Sequence, residues 1–201
     1  MTLPTFDAAF RARQAYQPFF CEENVLQLLR GTALPRPAAA VFVTNDDRSV
    51  AMWGQRAAAV DPIVWDYHVV ALLPEHDLVV DLDDRTQLAR PRGEWLRHAF
   101  RPVDEPRFQP RFRIVPADEY LATFSSDRSH MLDVRGRPLH PFPAWPAPFD
   151  ATRGHVLPRF VDLAEPIAGI VTDAAGLLRY LAAAKPGDAD SRGPGPPRPA
   201  P

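Results

Sequence analysis

Cys21 is the only cysteine in the 201-residue chain, and a lone thiol is more often a small buried hydrophobic residue than a nucleophile. Residues 22–31 (EENVLQLLRG) predict a short helix that ends at a glycine. Cys21 would then lie at the helix N-terminus, where free backbone N–H groups lower the pKa of a thiol and can hold an oxyanion. Glu22 and Glu23 would raise the same pKa, so position alone leaves the role of Cys21 open.

A thiol nucleophile needs a neighbouring base, and His68 is the strongest candidate among six histidines because it lies in an apolar run, WDYHVVALL. A turn at PEHD would fold this run against LVVDLDD as a hairpin in which Leu73 pairs with Leu78. His68 then faces Asp83 directly and Asp81 diagonally, so either carboxylate could orient the imidazole. The spacing leaves that choice open, and it also fits a purely structural His–Asp pair.

Other catalytic patterns are absent from the sequence. It contains no H-x-x-H, C-x-x-C, P-loop, G-x-G-x-x-G or G-x-S-x-G spacing, so we expect no metal and no cofactor. The net charge of −2 gives no reason to expect a nucleic acid or an anionic membrane as partner. The single thiol suits a reducing compartment, and no apolar run reaches the roughly 18 residues of a membrane span. We therefore expect a cytoplasmic monomer.

The elements around these residues indicate the α+β class. AAVFVTN and SVAMWGQRA predict strands before the hairpin, PIVWDYHVVALL predicts its first strand, and RFRIVPA predicts a strand after it. Helices are predicted around Trp95, in DEYLATFS and in TDAAGLLRYLAAA, where Thr172 would be the N-cap. Helices beside a mostly antiparallel set of strands are typical of α+β domains. We expect one domain over residues 1–184 and a disordered Pro- and Gly-rich tail over residues 185–201.

Six short motifs then occur in order: CEENV, VFVTN, VWDYHVV, VVDLD, FRIVPADEYL and FSSDRSHM. Together they resemble the protein N-terminal glutamine amidohydrolase family from Cys21 to Met131, with poorer agreement between Gln87 and Pro106. The resemblance implies a papain- or transglutaminase-like core, with the cysteine on an N-terminal helix packed on the sheet. It also implies deamidation of an N-terminal glutamine side chain to glutamate, in peptide or protein substrates and without a cofactor.

The resemblance further implies a catalytic triad of Cys21, His68 and Asp81, which selects Asp81 over Asp83. Recognition of a free chain terminus would require an acceptor for an α-ammonium group. Glu22, Asp66 and Ser129 are the candidates for that role.

Two aromatic residues beside His68, Trp65 and Tyr67, could wall the substrate pocket. Alternation along a regular strand would instead turn both away from His68 and into the core. The loop residues Asp127, Arg128 and Ser129 fit an ion-paired loop as well as they fit a ligand contact.

Two other functions are compatible with the same residues. A cysteine protease or acyltransferase could use the same triad on a different acyl donor. A non-catalytic binding module could retain the fold and recruit a partner through its Pro-rich tail.

Overall fold

A six-stranded antiparallel sheet forms the centre of the computed structural model, which describes residues 3–181. The strand order is β6-β5-β4-β1-β7-β8, and β2 and β3 form a separate two-stranded antiparallel sheet. The strands are β1 (Ala39–Thr44), β2 (Val50–Met52), β3 (Ile63–Trp65), β4 (His68–Leu73), β5 (Leu78–Val80), β6 (Ala89–Pro91), β7 (Arg111–Pro116) and β8 (Ile170–Thr172).

Within residues 3–181, six α-helices pack around these sheets. They are α1 (Ala8–Ala12), α2 (Cys21–Arg30), α3 (Arg92–Ala99), α4 (Ala117–Thr123), α5 (Leu157–Val161) and α6 (Ala174–Arg179), and short 3₁₀ turns cover Pro74–His76, Pro106–Phe108 and Ser129–Met131. The predicted α+β class with a mostly antiparallel sheet is confirmed. The predicted disordered tail, 185–201, lies outside the described residues, as do residues 182–184 of the predicted domain.

The central strands are buried on both faces, which explains their nearly continuous apolar sequences. Along β1, Ala40 and Phe42 face the core that contains α2, whereas Val41 and Val43 face the opposite core around Trp95. Helix α2, which begins at Cys21, therefore packs directly on one face of the middle of the sheet. None of the helices within residues 3–181 combines the length and the apolar composition needed to span a bilayer.

Helix α2 begins at Cys21 as predicted, with Phe20 at the N-cap. Phe20 supplies no side-chain cap, but the buried Asn24 ties down the preceding loop. Its amide donates to the Gln17 carbonyl and accepts from the Gln17 N–H, both at 2.8 Å. Phe19, directly before the N-cap, has a left-handed backbone with φ of 70°. The entry of the chain into α2, and hence the position of Cys21, is fixed by this tied loop.

The prediction that PIVWDYHVVALL forms one continuous strand is wrong. The segment forms two strands, β3 and β4, which belong to different sheets and are separated by Asp66 and Tyr67. The Asp66 side chain accepts the Tyr67 N–H at 2.9 Å, and the Asp66 carbonyl accepts the Thr44 hydroxyl at 2.8 Å. These local hydrogen bonds replace the strand-to-strand hydrogen bonds of a sheet. The alternation of side-chain directions along β3 therefore does not continue into β4.

The hairpin register is correct near its turn and stops early. Leu73 pairs with Leu78 as predicted, but the ladder ends at the pair of Ala71 and Val80. The predicted direct pairing of His68 with Asp83 does not form, because β5 ends at Val80 and the chain turns.

Two helix starts also differ from prediction. Thr172 lies in β8, opposite Phe112, and the N-cap of α6 is Asp173, whose carboxylate accepts the Gly176 N–H at 2.8 Å. The helix predicted around Trp95 is preceded by strand β6 and begins at Arg92.

Candidate active site

Cys21 and His68 line one cavity of about 300 Å³ beside the N-terminus of α2. The first residue of α2 contributes the thiol, and the first residue of β4 contributes the imidazole. Asp83 lines the same cavity from the segment after β5. The three elements that carry the predicted nucleophile, base and acids therefore converge.

The imidazole of His68 is held by Asp81. Its Nε2 lies 3.0 Å from Asp81 Oδ1, and both side chains are almost completely buried. Burial alone would lower the pKa of His68, but the charge and hydrogen bond of Asp81 offset this and raise the pKa above its usual value. The spacing left Asp81 and Asp83 as alternatives, and in the structure it is Asp81 that is hydrogen-bonded to His68.

Three further donors hold the Asp81 carboxylate. The Asp83 N–H donates to Oδ1 at 3.0 Å, and Gln55 and Trp95 donate to Oδ2 at 3.2 and 3.3 Å. Burial would raise the pKa of Asp81, but His68 and these hydrogen bonds lower it below its usual value. Asp81 is therefore a fixed carboxylate.

Asp83 occupies a different environment. Its carboxylate accepts the Tyr16 hydroxyl at 2.5 Å, and its own backbone N–H supports Asp81. Burial, with a contribution from the nearby charge of Asp81, raises the pKa of Asp83. Asp83 thus positions Asp81 through its backbone and does not itself hold His68.

The thiol of Cys21 is buried, and its surroundings favour the protonated form. Burial raises its pKa well above the usual value, and the charges of Glu22 and Asp83 raise it further, while a backbone hydrogen bond from Val69 acts in the opposite direction. The Cys21 Sγ lies 3.6 Å from Glu22 Oε2. The helix N-terminus does not overcome these effects, so the thiol needs a base to lose its proton during reaction.

Trp65 and Tyr67 both line the cavity, so the expectation that alternation turns them away from His68 is wrong. The expected core packing is present as well, because Tyr67 belongs to the core that contains α2 and Trp65 packs against the core around Trp95. The indole of Trp65 stacks on the His68 imidazole with ring centroids 6.0 Å apart and an interplanar angle of 17°. Tyr67 is buried, and its hydroxyl donates to Glu22 Oε2 at 3.0 Å. Both changes follow from the break between β3 and β4, which redirects the side chains.

Glu22 and Glu23 are both fully buried but have opposite surroundings. Glu23 forms a bidentate pair with Arg128, at 2.7 Å for each bond, and accepts the Trp145 indole N–H at 2.8 Å. This contact ties the loop carrying Arg128 to the start of α2, as the ion-paired loop hypothesis predicted. Glu22 instead points toward the side of the cavity that contains His130, whose Nε2 lies 3.6 Å from Glu22 Oε1.

The three predicted substrate-binding residues lie at different distances from the cavity wall. Asp66 is exposed and lines the cavity, whereas Glu22 lies behind the residues that line it. Ser129 is exposed, and its N–H donates to Asp127 at 2.8 Å. Its neighbour His130 lines the cavity in its place.

One group of side chains in residues 3–181 has the spacing of a metal site. The potential ligand atoms of His68, Asp81 and Asp83 all lie within 4.8 Å of one another and are buried. The His68–Asp81 bond and the Tyr16 hydroxyl already use part of this set. Hydrogen bonding therefore accounts for the arrangement without an ion.

Several residues that build the site escaped sequence reasoning. Asn24 ties down the loop before Cys21, Gln55 and Trp95 hold Asp81, and His130 faces Glu22. Asn24 falls inside the CEENV motif, and the available signal was its polar side chain on a predicted helix. The other three lie far along the chain from their partners, and spacing carries no signal for them.

Comparison with known proteins gives a consistent match over most of the chain. Residues 16–181 match the family model described as N-terminal glutamine amidase. A Drosophila grimshawi protein named Protein N-terminal glutamine amidohydrolase is 36% identical over 159 residues, which is 73% of this chain and 78% of the relative. Proteins with the same name from Caenorhabditis elegans and Bos taurus are 33% and 34% identical over 139 and 142 residues. Each alignment covers 65% of this chain, with 76% and 69% of the respective relatives.

Proposed function

Because the chain belongs to the N-terminal glutamine amidase family, we propose that it deamidates the side chain of an N-terminal glutamine to glutamate and releases ammonia. The observation that carries this proposal is the placement of Cys21 in one cavity with His68, whose second nitrogen is held by Asp81. A cysteine-bearing helix against an antiparallel sheet that carries the histidine also supports the expected papain- or transglutaminase-like core.

In the first half-reaction, Cys21 attacks the carboxamide carbon of the substrate. Since His68 Nε2 is bonded to Asp81, Nδ1 is the nitrogen available to take the thiol proton. The Sγ–C bond forms, the carbonyl becomes an oxyanion, and His68 then gives its proton to the leaving nitrogen. The C–N bond breaks, ammonia departs, and a thioester remains on Cys21.

In the second half-reaction, water attacks the thioester carbon. His68 takes a proton from the water and returns it to the sulfur as the C–S bond breaks, which releases glutamate and regenerates the thiol. Asp81 fixes the imidazole tautomer and stabilises the imidazolium in both halves. Because burial raises the pKa of Cys21, His68 takes the thiol proton as the sulfur attacks.

The oxyanion that forms in each half needs hydrogen-bond donors. Cys21 is the first residue of α2, so its backbone N–H lies among those of the first turn, which have no acceptor within the helix. This N–H and a second donor would stabilise the oxyanion, and loss of one such donor would cost about 10²–10³ in rate.

The test is to incubate the purified protein with a short peptide that begins with glutamine, and with its N-acetylated twin, and to follow ammonia release and the accompanying mass gain. We expect turnover of the free peptide only. Absence of turnover contradicts the proposal, equal turnover of both peptides indicates a general glutaminase, and cleavage of the chain indicates a protease.

A further inference from the structure

We propose that Glu22 and His130 together form the site that holds the α-ammonium group of the substrate's terminal residue. This inference rests on the proposed deamidation of N-terminal glutamine, and it adds a recognition site beside Cys21 that is formed by neither His68 nor Asp81.

The first observation is a cluster of buried polar atoms without partners. Within residues 3–181, six buried side-chain nitrogen or oxygen atoms lack a hydrogen bond, and three of them are Glu22 Oε1 and both ring nitrogens of His130. Buried polar atoms in folded proteins are nearly always bonded. The Oε1–Nε2 distance of 3.6 Å is too long for a hydrogen bond. Glu22 Oε1 and the His130 ring therefore lie next to each other with hydrogen-bonding capacity that the protein leaves unused.

The second observation concerns charge. The other oxygen of Glu22 accepts the Tyr67 hydroxyl and lies near the Cys21 thiol, both of which are neutral groups. The nearby guanidinium of Arg128 is committed to Glu23 by two hydrogen bonds. A water molecule could satisfy the bonding capacity of Oε1 but not the buried charge. A ligand with several N–H donors and a positive charge satisfies both.

The third observation is the distance from the nucleophile. Glu22 Oε2 lies 3.6 Å from Sγ, so Oε1 lies at most roughly 6 Å from the sulfur, given the size of a carboxylate. In glutamine the α-nitrogen lies at most about 5 Å from the side-chain amide carbon. That carbon must come within about 3–3.5 Å of the sulfur to react. One glutamine residue therefore spans the distance between Cys21 and Glu22 Oε1.

His130 is placed to complete this site from the cavity side. It lines the cavity, and its Nε2 lies 3.6 Å from Oε1 of the fully buried Glu22. The ring stacks on His155, with centroids 5.4 Å apart, and His155 is held by Asp127 at 3.2 Å. An entering ammonium turns the His130 ring aside, donates one N–H to Glu22 Oε1 and donates another to the His130 ring nitrogen that carries no proton.

Asp66 is a weaker candidate for the same role. It is exposed, and its Oδ1 already accepts the Tyr67 N–H. Water screens an exposed carboxylate, whereas a buried one without a counterion gains far more from a cation.

The test uses two peptides that differ only in the α-amine. One begins with glutamine, and the other begins with a glutaramoyl group, which has the same carboxamide chain with hydrogen in place of the amine. The ratio of their kcat/KM values reports recognition of the ammonium group. Because both react at Cys21, any effect of a substitution on the thiol cancels in the ratio.

For the unmodified protein we expect a preference of about 10- to 100-fold for the glutamine peptide, the value of a charged hydrogen bond. Glu22→Gln should abolish most of this preference, and His130→Ala should reduce it. His140→Ala is the matched control, since His140 lines the same cavity but stacks on Phe19. We expect it to leave the ratio unchanged.

Retention of the full preference in both Glu22→Gln and His130→Ala would overturn the inference, as would a ratio near one in the unmodified protein. Both outcomes leave deamidation itself intact, whereas no turnover of either peptide defeats the proposed function as a whole. Circular dichroism checks that each variant is folded, and His130→Asn replaces His130→Ala if the latter is not. Binding of the two peptides to Cys21→Ala protein, measured by calorimetry, should give the same preference without turnover.

Discussion

Two sets of polar groups near Cys21 differ in how completely they are hydrogen-bonded. We call them the side of His68 and Asp81 and the side of Glu22 and His130. On one side, both oxygens of Asp81 are partnered, and the carboxylate holds His68 Nε2. On the other side, Glu22 Oε1 and both nitrogens of His130 are buried without partners. The chain itself supplies every contact that orients His68, the proposed base, but it leaves the second side incomplete. Groups that act on every substrate are prepared in advance, whereas groups that recognise one substrate remain available for it.

The same contrast recurs within a single helical turn. Glu23 is neutralised by Arg128, which joins two distant segments, while its neighbour Glu22 has no cationic partner at hydrogen-bond distance. Substitutions on the bonded side should therefore impair rate or stability, and substitutions on the other side should impair discrimination between substrates.

The largest effect is expected for His68→Ala. Removal of the general base should lower kcat by about 10⁴-fold or more while the protein remains folded. Steady-state ammonia release measures the loss, and circular dichroism checks the fold. His76→Ala, in the hairpin turn between β4 and β5, is the control and should retain activity. Comparable losses in both variants would show that His68 has no special role.

Asp81→Asn should lower kcat by about 10²–10⁴-fold. It should also move the acid limb of the pH–rate profile to lower pH. The Asp81 carboxylate raises the pKa of His68 against the opposing effect of burial, so without it the pKa falls and the imidazole stays neutral in more acidic solution.

Asp83→Asn is the matched comparison, because its backbone N–H still supports Asp81. It should have the smaller effect on kcat. If Asp83→Asn proves far more damaging than Asp81→Asn, the third member of the triad is Asp83 and not Asp81.

A stability measurement sharpens the contrast between the two glutamates. Arg128→Met leaves Glu23 buried without its cation and should lower the free energy of unfolding by about 3–5 kcal/mol. Glu22→Gln removes no ion pair at bonding distance and should change it by less than about 1 kcal/mol. Urea unfolding measures both values. Equal losses would mean that the two acids have equivalent structural roles.

The smallest effect is expected for metal removal. The hydrogen bonds of His68, Asp81 and Asp83 account for their proximity, so dialysis against a chelator should leave kcat unchanged. Activity that is lost on chelation and restored by a divalent cation would assign this cluster to a metal instead.

Local sequence signals predicted the parts of the site that depend on neighbouring residues. The apolar period placed Cys21 at the start of α2, and the turn fixed the β4–β5 register at Leu73 and Leu78. They failed where a polar side chain interrupts a regular element. Asp66 breaks the predicted strand, and the pattern of apolar residues did not predict this break. The break allows Trp65 to stack on His68.

The same local signals could not predict contacts between segments that are far apart in the sequence. Glu23 meets Arg128 across 105 positions, and Gln55 meets Asp81 across 26. Such pairs depend on how separate elements pack, and no spacing rule reaches that far. Asp81 could be preferred to Asp83 only by resemblance, because β5 stops at Val80 and the pairing rule no longer applies beyond it.

The solitary cysteine of this chain has a practical consequence for every measurement proposed above. With one thiol in 201 residues, a thiol-specific reagent that adds one label in an intact-mass spectrum can have reacted only at Cys21. The labelled fraction therefore counts competent molecules directly, and each rate can be normalised to functional sites, not to total protein. A preparation that is partly oxidised at this position will reveal itself before any kinetic constant is interpreted.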